Sequence, residues 1–242
     1  MSYNVEVKNI VKKYGSKTVT DGVSFQIKPG TIVGLASPNG SGKTTIIKLI
    51  ADFLTLDGGE ITVDGKKAGP EAKAVISYLP DHDLFGGNDK VIKAVKFYSH
   101  YHKDFDAEKC KQYLKTFKID ENAKISSLSK GTREILMLIL TLSRDAKLYL
   151  LDEPLANVDP VNREAIVTTI LKEFKEDASV IISTHLLNDV ETILDEVIMI
   201  KEGKLFCHKP VEEIREETGR SLNEFFKETF KVDWFGGENN ER

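Results

Sequence analysis

Thr31-Ile32-Val33-Gly34-Leu35-Ala36-Ser37-Pro38-Asn39-Gly40-Ser41-Gly42-Lys43-Thr44-Thr45 runs from an apolar stretch through a glycine-rich turn into paired hydroxyls. The first six residues are apolar enough for a buried parallel strand. Ile46, Ile47 and Ile50 then recur with helical spacing over Thr44 to Asp52. Strand, loop and helix in that order are the context of a phosphate-binding loop. Gly40 and Gly42 let backbone N–H groups converge on phosphate oxygens with no Cβ in the way, and the following helix aims its positive end there. Lys43 is predicted to pair with the β- and γ-phosphates, Thr44 to ligate magnesium, and Thr45 to donate to a neighbouring phosphate oxygen. Pro38, Asn39 and Ser41 complete the loop. Ser37 stands where the pattern G-x-x-x-x-G-K-T has Gly. If that position needs a positive φ, Ser costs about 1–2 kcal/mol there.

Further along, Leu148-Tyr149-Leu150-Leu151 reads as an apolar strand, expected beside the 31–36 strand, and it ends in Asp152-Glu153-Pro154. A carboxylate at that point can hold magnesium, a hard cation that takes oxygen ligands, and Asp152 is assigned to it. Glu153 points elsewhere and can orient or deprotonate an attacking water. Acidic pairs are common on surfaces; one that follows a buried strand and precedes proline is less so.

The remaining pattern is that of an α/β protein. Val5, Val7, Val19, Val23, Phe25 and Ile27 predict short antiparallel strands near the start, and Val75 to Leu79 another strand. From Asp83 to Ser143 the character is helical, rich in Lys and aromatic residues. A single domain over 1–242 is expected: an α/β core at 1–82 and 144–206, an inserted helical subdomain at 83–143, and a C-terminal helical extension at 207–242. Asp159 is placed as the N-cap of a helix with Pro160 at its first position. Val180 to Ser183 and Val197 to Ile200 read as strands, Leu186 to Leu194 as a helix, and Lys201-Glu202-Gly203-Lys204 as a hairpin turn.

The bulk numbers exclude several classes. A net charge of −4 over 242 residues offers no global attraction to nucleic acid or anionic lipid. Two cysteines, Cys110 and Cys207, form no Cys-x-x-Cys pair, which points to a reducing cytoplasm and away from a cysteine metal site. Met1 to Ile10 lacks the basic-then-apolar form of a signal peptide. Ile135 to Leu142, the longest greasy run, is far shorter than the roughly 20 residues needed to span a bilayer.

Leu128-Ser129-Lys130-Gly131-Thr132, between the two motifs, resembles the Leu-Ser-Gly-Gly-Gln signature of ATP-binding cassette ATPases. Leu155-Ala156-Asn157-Val158-Asp159 is similar to that family's D-loop, and Ser183-Thr184-His185 to its switch histidine. Ile76 to Asp81 sits where the family has its Q-loop, and Tyr14 where an aromatic ring stacks on adenine. The resemblance covers about Val5 to Phe206 and implies a P-loop nucleotide hydrolase core with an N-terminal antiparallel β subdomain. It also implies that two cassettes, identical or different, meet head to tail. Each ATP is then held between one chain's phosphate loop and the other's Ser129, Lys130, Gly131 and Asp159. Ser129 and Gly131 would precede a helix starting at Arg133 whose N-terminus faces the γ-phosphate.

What the resemblance implies for function is an ATPase subunit, of the bacterial type encoded apart from its permease. It would use ATP and Mg2+, with Glu153 and His185 catalytic, and would lie on the cytoplasmic face of the membrane through that permease. The chain departs from the family at Lys130, at Thr132 and at Asp81, where Gln is expected; Asp81 would ligate the metal or repel the γ-phosphate. An alternative is a regulatory or non-transport cassette ATPase with slow or no turnover.

Overall fold

The structure is a computed structural model describing residues 3–231 except Asn39, Asp83 and Gly87. Asn39 of the phosphate loop, the first residue of the 83–143 segment and residues 232–242 of the C-terminal extension therefore lie outside the described residues. Strands β1 (Val5–Tyr14) and β2 (Lys17–Ile27) lead into β3 (Thr31–Ala36), helix α1 (Lys43–Ile50), β4 (Gly58–Val63) and β5 (Lys66–Lys67). Helix α2 (Pro70–Ala74) and β6 (Ile76–Leu79) precede three helices: α3 (Val91–Tyr101), α4 (Ala107–Thr116) and α5 (Lys130–Leu142). Then come β7 (Leu148–Asp152), α6 (Pro160–Glu173), β8 (Ser179–Ser183), α7 (Leu187–Val190), β9 (Glu196–Lys201) and β10 (Lys204–Pro210). Helices α8 (Val211–Thr218) and α9 (Leu222–Thr229) follow.

Among the described residues, these strands form two sheets. One is antiparallel, in the order β2-β1-β4-β5; the other runs β10-β9-β3-β8-β7-β6. In the second, β9, β3, β8, β7 and β6 are parallel and β10 returns antiparallel along the edge. All six residues of β3 are buried, as a strand covered on both faces requires. The order corrects one expectation: β7 is not beside β3, because β8 lies between them. Asp152 therefore reaches the phosphate loop across the end of β8, and Ser183 is its register partner. The N-terminal strands are long rather than short, at 10 and 11 residues.

Two apolar cores share the larger sheet. Helix α1 buries Ile46, Ile47, Leu49 and Ile50 between the two sheets, against Val5, Val7 and Val33 among others. Each such side chain contributes roughly 1.5–3 kcal/mol on leaving water. On the opposite face, α3 to α9 pack around the wholly apolar stretch Ile135–Leu140 of α5. The C-terminal helices belong to this core: Val211, Ile214 and Leu222 are all buried in it.

Candidate functional site

Parallel strands deliver their C-terminal ends to one edge of the sheet, and the chemistry sits there. The loop leaving β3 turns through Gly40 (φ 76°) and Gly42 (φ 104°), and Gly42 is the N-cap of α1. A Cβ on Gly42 would meet the Val19 side chain at 2.8 Å, so β2 backs the loop directly. Ser37 is buried and is not among the positive-φ residues, so its substitution for Gly carries no backbone strain. Lys43, 6% exposed, folds back to donate to the Ser37 carbonyl at 2.7 Å and lies 3.8 Å from Glu153 Oε1. Burial holds its ammonium below the ordinary value, with Glu153 and Asp152 pulling the other way.

Asp152 is 1% exposed at the end of β7. Its Oδ1 accepts from the Ser183 hydroxyl, and the neighbouring Thr44 hydroxyl favours its ionised form. Its Oδ2 is buried with no hydrogen-bond partner. Burial raises the Asp152 pKa; the two hydroxyls oppose this, and the charges of Asp81 and Glu153 add to it. An unpartnered buried carboxylate oxygen is costly and is the feature a divalent cation would relieve. The residues fit magnesium on that ground, and Asp152 and the Thr44 hydroxyl would hold it. Among the described residues no group of three His, Cys, Asp or Glu side chains forms a metal cluster. Asp81, also expected at the metal, has its half-exposed carboxylate 3.0 Å from His82 Nδ1.

Glu153 has φ 52°, a left-handed conformation that costs a non-glycine residue about 1–3 kcal/mol and that Asn9, Asp52, Asp64, Lys118 and Glu202 also adopt. Its N–H donates to the Ser183 carbonyl at 3.0 Å, which fixes the turn. Its Oε2 is 2.9 Å from His185 Nδ1. Lys43, Asp152, Glu153 and His185 are thus brought into one contiguous polar group. Tyr14 ends β1, half exposed, with the Lys12 ammonium 5.5 Å from its ring centroid.

The 128–132 stretch is arranged differently. The helix begins at Lys130, not Arg133, and Ser129 is its N-cap: the hydroxyl accepts from Thr132 N at 3.1 Å. Lys130 Nζ donates to Asn157 Oδ1 at 2.7 Å. A Cβ on Gly131 would meet the Asn157 carbonyl at 2.9 Å, so only glycine lets the helix approach this closely. Asp159 caps α6, accepting from Asn162 N at 3.1 Å. Lys130, Asp81, Asp152 and Glu153 line one cavity of about 440 Å³.

Sequence reasoning gave Ser183 no role of its own and passed over Arg163. A hydroxyl at the end of an apolar strand, two residues before His185, was the available signal for Ser183. None in the local pattern marked Arg163.

Comparison with known proteins agrees with this geometry. Residues 20–156 match the ABC transporter family model. The chain is 31% identical over 219 residues to an uncharacterized ABC transporter ATP-binding protein of Methanocaldococcus jannaschii, covering 88% of this chain and 80% of that one. It is 30% identical over 216 residues to the ABC transporter ATP-binding protein YtrB of Bacillus subtilis, covering 88% and 74%. A solved structure of the ATP-binding subunit of an ABC transporter superposes with a TM-score of 0.86 at 24% identity, covering 95% of this chain and all of that one.

Proposed function

The chain belongs to the ABC transporter family, whose ATP-binding domain binds ATP, and we propose that it hydrolyses ATP to ADP and phosphate to drive a separate membrane permease. The observation that carries this reading is the strand-end group: Lys43 folded onto Ser37 and Glu153, Asp152 with an unpartnered buried oxygen, and Glu153 held by His185.

In this reading Lys43 exchanges its contacts with Ser37 and Glu153 for phosphate oxygens, and the N–H groups at Gly40 to Thr45 receive the rest. Thr44 and Asp152 hold Mg2+, which supplies charge neutralisation at the phosphates when bound. Glu153, released from Lys43, takes the proton of the attacking water while His185 fixes its carboxylate. Tyr14 stacks on the base, worth about 1–3 kcal/mol by analogy with single-strand binding. Preorganised charge around the γ-phosphate provides most of the acceleration.

A second cassette, identical or not, contributes Ser129, Lys130, Gly131 and Asp159 to close each nucleotide. Among the described residues no helix is long and apolar enough to cross a membrane, and in this reading the path belongs to a separate permease. We assign its docking place to the groove of about 480 Å³ lined by Phe53, Tyr78, Leu84 and Phe97, three of them large exposed apolar side chains. That groove joins α3 to the β6 end of the core, so residues 83–143 act as the helical subdomain that carries motion to the permease at the cytoplasmic face. Phosphate release by the purified chain tests the enzyme reading. Wild type should turn over Mg·ATP, and Lys43→Ala should not; ATP binding without phosphate release by wild type would favour a regulatory module.

A further inference from the structure

Arg163, on the first turn of α6, makes two directed bonds to segments that lead in opposite directions. Its Nε donates to the Val158 carbonyl at 2.8 Å, and its Nη1 donates to Asp189 Oδ2 at 2.9 Å. The Val158 side continues to α5. Asn157 N and Nδ2 donate to Glu134 at 3.1 and 2.6 Å, Lys130 Nζ donates to Asn157 Oδ1, and Gly131 packs on the Asn157 carbonyl. The Asp189 side continues to His185. Asp189 N donates to the Leu186 carbonyl, Leu186 N donates to the Thr184 hydroxyl, and His185 Nδ1 faces Glu153.

The short helix α7 is anchored at its far end. Glu191 accepts from Arg215 Nε and Nη2 and from Leu222 N, which ties that end to α8 and α9. Leu187 and Val190 are buried beneath it. With that end fixed, the end nearer His185 is set by what holds Asp189. The Arg163 and Asp189 side chains are 26% and 33% exposed, so the pair adds little to stability. The planar guanidinium, however, fixes two segments at a set spacing that a lysine ammonium cannot reproduce.

We propose that Arg163 is a positioning residue that couples the seating of the Lys130 end of α5 to the placement of His185 against Glu153. A change at the helix that meets the neighbouring cassette is thereby carried, within one subunit, to the group that holds the catalytic carboxylate. The inference rests on the hydrolysis reading above for its consequence and its kinetic arm, but not for its NMR arm.

The test uses the full chain with histidine-selective NMR labelling, which the five histidines keep resolvable. Asn157→Ala should shift the His185 resonances in the wild-type background and leave them unmoved in the Arg163→Lys background. In steady-state assays Arg163→Lys and Asp189→Ala should each lower kcat about tenfold, with the KM for ATP and the melting temperature unchanged. The double variant should be no worse than either single one, because the two act as a unit. The proposal is overturned if Asn157→Ala moves His185 equally in both backgrounds, if the single losses multiply, or if KM and melting temperature fall with kcat. A wild type without turnover would sink the hydrolysis reading alone, and the NMR arm would still decide the coupling.

Discussion

The strand-end group and the start of α5 hold their polar groups in opposite ways. At the strand ends, Asp152 Oδ2 is buried without a partner, Lys43 is drawn back onto Ser37 and Glu153, and Glu153 sits in a left-handed conformation. At the start of α5, Ser129 caps its helix, and Lys130 and Glu134 both bind Asn157. In the proposed reading the first arrangement receives a ligand carrying phosphate and metal. The second offers rigid shape and a helix N-terminus to a neighbouring cassette.

Changes at the strand ends should therefore have the larger effects. Glu153→Gln should lower turnover about 10²–10⁴-fold, the range of a general base, while ATP-driven dimerisation persists. Phosphate release and sedimentation measure the two; normal turnover would remove Glu153 from its role. Lys43→Ala should weaken ATP binding about 10- to 150-fold, as charge-assisted bonds worth roughly 1.5–3 kcal/mol are lost. Calorimetric titration decides that, and unchanged affinity contradicts it.

At the signature end the effect is mechanical. Gly131→Ala forces a methyl against the Asn157 carbonyl and should destabilise the chain by about 1–3 kcal/mol, read from urea unfolding. An unchanged midpoint would mean that the helix and the 155–159 turn are not rigidly seated.

Asp152 offers a change of opposite sign. Its pKa is raised by burial, so the folded state binds its proton more tightly than the unfolded one. The ionised carboxylate thus costs stability above its raised pKa, and that cost fades as pH falls through it towards the ordinary value of 3.8. At neutral pH without ligand, Asp152→Asn should raise the melting temperature by about 2–4 °C per kcal/mol relieved, and the gain should vanish in acid. The same variant should lose the stabilisation that wild type gains from Mg·ATP. A lower melting temperature without ligand would show that the carboxylate is satisfied in the free protein. The smallest effect is expected at Ser37→Gly, under about threefold in ATP affinity, because no left-handed backbone is required there.

What could be read in the sequence divides along similar lines. The phosphate loop was legible because glycines, lysine and hydroxyls at 40–45 are consecutive and each answers to one ligand. Helix α6 was legible because Asp159-Pro160 is a local cap. Strand order was not: that β8 separates β3 from β7 depends on pairing across more than a hundred residues, and no local pattern encodes it. Strand Gly58–Val63 escapes the pattern because it opens on two glycines. One of them, Gly59, has φ 84° and lies against the Lys8 and Asn9 carbonyls, where a side chain would not fit. Ser183 and Arg163 acquire their partners only through register and helix packing. The start of α5 was placed three residues late because Gly131 reads as a breaker, whereas here it is a contact point inside the first turn.

In the proposed mechanism the signature of one cassette closes the nucleotide of another. A crystal structure of Glu153→Gln with Mg·ATP tests this directly. It should show two copies head to tail, with Ser129 and the N-terminus of α5 from each within hydrogen-bond reach of the other's γ-phosphate. A nucleotide bound at the phosphate loop with Ser129 of every copy facing solvent would contradict it.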